Sequence, residues 1–115
     1  MRTNLYRLAH GRSGDKGDTV NVGVIARRPE FYEFLRGELT TERVARHFGE
    51  LVKGGVDRFE LPNLHALNFL LHEALDGGGT MSLMNDAQGK TFSTAMLRME
   101  VELPPELAAL LEEAP

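Results

Sequence analysis

The chain has 115 residues, 42% hydrophobic and 26% charged, with a net charge of −4 and no cysteine. A chain of this length forms one domain that buries about 65% of the surface its unfolded form would expose. The acidic balance argues against nucleic acid or an anionic membrane as a partner, and the missing cysteines exclude disulfides, thiolate nucleophiles and thiolate metal sites. No apolar run approaches the roughly 20 residues that a membrane span needs. With no signal peptide in evidence, the cytoplasm is the expected compartment. Residues 1–115 read as a single domain without repeat or linker.

In chain order, residues 4–10 read as a strand leading into a glycine-rich loop over residues 11–18. The strand after it, about 19–27, alternates Val20, Val22, Val24 and Ala26 with Asn21, Gly23, Ile25 and Arg27. Pro29 suits a first helical turn, where its missing N–H is no loss. Phe31, Phe34 and Leu35 form that helix's apolar face, and Gly37 stops it. Thr40 or Thr41 caps a second helix with Glu42 near its positive end. Val44, Phe48 and Leu51 follow at helical spacing, and Gly54-Gly55 closes the segment. Residues 56–61 read as a third strand, ended by Pro62.

Asn63 then reads as the cap of a helix. Leu64, Leu67, Leu71 and Leu75 share one face, with a polar stripe of His65, Asn68, His72 and Asp76 beside it. Gly77-Gly78-Gly79 terminates it, residues 80–85 read as a fourth strand, and Gln88-Gly89 opens a short helix with Phe92, Ala95 and Met96 inward. Residues 98–103 alternate Met99, Val101 and Leu103 with Arg98, Glu100 and Glu102, a strand with one wet face. After Pro104-Pro105 comes a last helix through Leu107, Leu110 and Leu111; Glu112 and Glu113 carry the wrong sign for its C-terminus. The economical packing is α+β: a mixed sheet of about five strands with helices largely on one face and right-handed crossovers.

The glycine-rich stretch places Gly11, Gly14 and Gly17 at a spacing of three, with Arg12, Ser13, Asp15, Lys16 and Asp18 between them. It is not a nucleotide P-loop: Lys16 precedes Gly17, Asp18 stands where a hydroxyl belongs, and a strand follows. Nor is it a hydrolase elbow, because the glycine after Ser13 comes one place early. Backbone N–H groups with Arg12 and Lys16 suit a carboxylate, phosphate or thioester carbonyl. Pairing of Asp15 with Lys16 would instead only stiffen the loop.

No metal site is expected. Asp15, Asp18 and Asn21 lack calcium-loop spacing, and the neighbouring cations oppose one. His72-Glu73-Ala74-Leu75-Asp76 approaches the zinc pattern His-Glu-x-x-His but lacks its second histidine. The simpler role for Asn68 and His72 is to hydrogen-bond backbone groups of the glycine loop. Met81, Met84, Met96 and Met99 read as core filler.

Residues 9–18 (Ala-His-Gly-Arg-Ser-Gly-Asp-Lys-Gly-Asp), 21–27, 67–72 and 77–83 together resemble the small ferredoxin-like domain of the acyclic terpene utilisation protein A family. The resemblance implies a ferredoxin-like two-layer sandwich and a link to catabolism of acyclic terpenes and branched acyl-CoA compounds. It implies site positions at Ser13, Gly14, Asp15, Lys16, Gly17, Asp18, Asn21, Asn68 and His72; no cofactor is expected. Asp76 departs from an expected glycine, and Met81 and Met84 from frequent basic residues, which weakens a grip on coenzyme A phosphates. The expected role is an accessory, non-catalytic domain whose glycine loop meets a larger α/β partner chain of the same family, or a second copy. The alternative is a small enzyme or ligand-binding protein for a carboxylate or acyl-CoA thioester, with Lys16 holding the anion and Asp15, Asp18 or His72 moving protons.

Overall fold

The computed structural model describes residues 1–74 and 90–113. Strands β1 (Arg2–Asn4), β2 (Ala9–Lys16) and β3 (Thr19–Ala26) precede helices α1 (Pro29–Glu38) and α2 (Thr41–Phe48). Then come β4 (Val56–Leu61), β5 (Ala66–Leu71), α3 (Lys90–Leu97), β6 (Glu100–Glu102) and α4 (Pro105–Glu113). The sheet order is β2-β3-β5-β4, with β1 and β6 paired separately.

The architecture is α+β, a two-layer arrangement with helices on one side of the four-stranded sheet. Val20, Val22 and Val24 of β3 stand opposite Leu71, Phe69 and Leu67 of β5. All six are buried in one core with Phe31 and Leu35 of α1, Val44 and Phe48 of α2, and Phe92 and Met96 of α3. Every strand pairing among the described residues is antiparallel. The single mixed sheet is therefore corrected to four strands plus two, and the crossover through helices α1 and α2 joins β3 to β4, which run parallel on either side of β5. β1 and β6 bury Thr3 and Val101, which face each other across the small sheet. Beside them the Met1 ammonium donates to Glu102, and that bond, with the ammonium's charge, holds the Glu102 carboxyl below its ordinary value.

Local chemistry accounts for the helix starts. Pro29 stands in the first turn of α1. The Thr40 hydroxyl accepts from the Arg43 N–H at 3.1 Å and caps α2. α2 ends at Phe48, earlier than Gly54-Gly55, because Gly49 takes φ +59° and a short 3₁₀ turn follows. Met96 and Met99 are buried, as core filler should be.

Two expectations are overturned. Residues 11–16 are not loop but most of β2, which pairs residue for residue with β3 from Ala9↔Ala26 to Lys16↔Thr19. Only Gly17 and Asp18 remain as the turn, with Gly17 at φ +64° as a two-residue hairpin requires. The first strand likewise divides into β1 and a 3₁₀ turn over Leu5–Arg7 before β2 begins.

The helix capped by Asn63 is instead the strand β5. Leu67, Phe69 and Leu71 are buried at alternate positions, a period of two that no helix face provides. A 3₁₀ turn over Pro62–Leu64, with His65 in the left-handed region at φ +50°, folds β5 back on β4. The glycine run 77–79, the strand expected over 80–85, and Asp76, Met81 and Met84 lie outside the described residues. No helix among the described residues is long and apolar enough to cross a membrane.

Candidate functional site

Side chains opposite one another in an antiparallel sheet share a face. The face turned away from the helices can therefore be read as rows. Arg12, Gly23, Asn68 and Phe59 form one row across the four strands, and Gly14, Asn21, Leu70 and Asp57 form the next. Ile25, Ala66 and Leu61 lie on the other side of the first row. The face is thus polar toward the β2–β3 hairpin and apolar toward the β4–β5 turn.

At the polar end, Asn21 Nδ2 donates to Asn68 Oδ1 at 3.2 Å. Gly14 makes room for this amide, since a Cβ there would come 2.9 Å from Asn21 Oδ1. The Asn68 amide nitrogen, the Asn21 oxygen and the Arg12 guanidinium have no other partner among the described residues.

His72, just past β5, bridges two other strands. Its Nε2 is 2.8 Å from Asp57 Oδ2, and its Nδ1 is 3.5 Å from Thr19 Oγ1. A carboxylate only accepts, so Nε2 carries a proton, and in the neutral ring Nδ1 accepts from the Thr19 hydroxyl. A cleft of about 380 Å³ opens beside Thr19, lined by Asp15, Thr19, Asn21 and Leu70. The arrangement offers a polarised hydroxyl and a carboxylate to a polar guest.

The structure thus gathers Asn21, Asn68 and His72 around the hairpin end on the face that carries Gly14 and Arg12, while Asp15 stands opposite Val20 in the pairing and lines the cleft at the strand end. Lys16 closes β2 opposite Thr19, and the Asp18 carbonyl accepts from the Ala74 N–H at 2.8 Å, fixing the turn. Ser13 does not join them. It stands opposite Val22 on the helix-facing side, with its hydroxyl buried and without a hydrogen-bond partner among the described residues.

Asn68 and His72 bond side chains of β3 and β4 through their own side chains, in place of the expected backbone groups of the glycine-rich stretch 11–18. Sequence reading missed Thr19 and Asp57. Each sits at an outward position of an alternating strand, and only the pairing register brings it to His72. Among the described residues no three histidine or acidic groups come together as metal ligands.

No curated protein and no solved structure matches the chain. The family model of the AtuA ferredoxin-like domain matches residues 3–102, from within β1 to the end of β6. The chain belongs to the AtuA ferredoxin-like domain family.

Proposed function

We propose that this chain is an accessory, non-catalytic domain in the catabolism of acyclic terpenes or branched acyl-CoA compounds, acting in the cytoplasm. Its hairpin end, from Arg12 to Asp18 with Asn21, Asn68 and His72, docks on a larger α/β chain of the same family or on a second copy. One observation carries this reading: unspent amide groups of Asn68 and Asn21 lie on the helix-free sheet face, one and two rows from half-exposed Ile25 and exposed Leu61. Polar groups with free valences beside uncovered apolar side chains are the makings of a protein interface. Co-purification with a larger α/β chain of the same family tests this. Asn68→Ala and Arg12→Ala should each weaken capture roughly tenfold, the worth of a charge-assisted or buried hydrogen bond, without lowering the melting temperature. Failure to form any complex at micromolar concentration sinks it.

The cleft beside Thr19 favours a second reading, a binding protein or small enzyme for a carboxylate or acyl thioester. Asp57 orients His72, and His72 accepts the Thr19 proton. A thermal-shift panel of acyl-CoA compounds and organic acids checks it, with stabilisation expected that is lost in His72→Ala.

A further inference from the structure

We propose that β4 is a self-recognition edge, pairing antiparallel with β4 of a second copy about Phe59 to give one continuous eight-stranded sheet. This surface is the edge of the sheet opposite β2, and the pairing does not require that a larger chain dock at the hairpin end. β4 is an edge strand, with no neighbour beyond it among the described residues. Natural edges are blunted by prolines, bulges, short length or charged side chains. β4 has no proline and pairs one for one with β5, so its edge is regular; its charges, Asp57, Arg58 and Glu60, are what restrict which pairings it admits. Near it lie the large exposed apolar side chains Phe59 (49% exposed), Leu61 (41%) and Leu64 (64%).

The charge pattern then selects one register. Slipping an antiparallel pair by one residue reverses the faces, so the registers that keep all helices on one side are centred on a residue facing itself. Centred on Arg58, two guanidinium groups meet at the axis; centred on Glu60, two carboxylates meet. Both are unfavourable. Centred on Phe59, Arg58 faces Glu60 of the second copy twice over and the two phenyl rings meet on the helix-free face. Within one copy, Arg58 Nη2 already lies 2.9 Å from Glu60 Oε2. The dimer therefore extends an existing pair into a four-membered ladder of alternating charge.

Sedimentation of the full chain, up to roughly 100 μM, reads the result. The wild type should be a dimer. Phe59→Asp and Phe59→Lys each set like charges across the axis and should raise the dissociation constant at least tenfold, about 1.4 kcal/mol. An equimolar mixture of the two should recover the dimer as a heterodimer, an outcome no merely structural role of Phe59 produces. Glu60→Arg, which sets arginine against arginine, should dissociate the dimer as well and covers the case of a misfolded Phe59 variant. Capture of the larger chain should survive Glu60→Arg, because Glu60 stands opposite buried Leu67 on the other face of the sheet from Asn68, and this separates the test from that of the hairpin end. A monomeric wild type, or a dimer indifferent to these changes and to mixing, overturns the proposal.

Discussion

The His72 imidazole lies 2.8 Å from the Asp57 carboxylate and joins the end of β5 to β4. The same end of the β4–β5 pair is braced from the backbone, with the Gly54 N–H donating to the His72 carbonyl at 2.9 Å and the His72 N–H to the Gly55 carbonyl at 3.0 Å. The side chain is therefore not needed to hold the strands together, which frees it for work at the cleft.

A double-mutant cycle on His72→Ala and Asp57→Ala measures that division. With side-chain exposures of 34% and 62%, the pair is screened by solvent and should couple by less than about 1 kcal/mol in urea unfolding. Binding to a partner or ligand at the hairpin end should fall roughly tenfold in either single variant. A coupling of several kcal/mol would make the pair a structural tie instead.

Gly11 faces the helices from β2. An added Cβ would come 2.9 Å from Leu97 Cδ1 and 3.4 Å from Ser93 Cβ. The nearest atom is the far end of a movable side chain, so Gly11→Ala should change stability by less than about 1 kcal/mol, the loss of room offset by a stiffer unfolded chain. Gly11→Val cannot be absorbed that way and should cost about 1–3 kcal/mol by pushing α3 off the sheet. Adding Leu97→Ala should recover part of that loss, as denaturation midpoints would show.

Much of the fold was legible because its signals are local. The valines of β3, Pro29 in α1, the cap at Thr40 and the run from Val56 to Leu61 each announce their element within a few residues. The two failures share a cause. In β2 the inward positions are Ala9, Gly11 and Ser13, small because α3 packs closely there, so the alternation is one of size rather than hydropathy. In β5, Leu67 and Leu71 satisfy a helical and an extended period alike; Phe69 between them decides, and its burial comes from tertiary packing. Asn21, Asn68 and His72 stood out as polar residues in apolar company, but Thr19 and Asp57 acquire their meaning only from register, which a single sequence does not state.

The Thr40 cap can be tested alone. Thr40→Ala leaves the Arg43 N–H without its acceptor and should cost about 1 kcal/mol, whereas Thr40→Asp or Thr40→Ser should retain most of the stability. Since α2 delivers Val44 and Phe48 to the core, the loss should appear as a lower midpoint of one cooperative transition rather than as local fraying. A separate early transition in far-UV circular dichroism would contradict this.

Gly17 and Gly54 should respond to substitution by different rules. Gly17 sits at φ +64° with nothing within 4 Å of an added Cβ, so its cost is purely one of backbone conformation. Gly17→Ala, Gly17→Ser and Gly17→Lys should therefore all lose about 1–2 kcal/mol irrespective of side-chain size, and Gly17→Asn less, because asparagine tolerates the left-handed region. At Gly54 the backbone is not left-handed, but a Cβ would come 2.7 Å from Glu73 Oε2 and 2.8 Å from His72 Cβ. The cost there should grow with size from Ala to Val and should fall when Glu73→Ala removes one of the two obstructing side chains. It should also carry over to the cleft, because displacing His72 moves its ring away from Thr19, whereas changes at Gly17 that leave the hairpin paired should not. Unfolding midpoints for the two series, with binding measured beside them, decide the matter: a size-dependent loss at Gly17 or a size-independent one at Gly54 would contradict this account of the hairpin end.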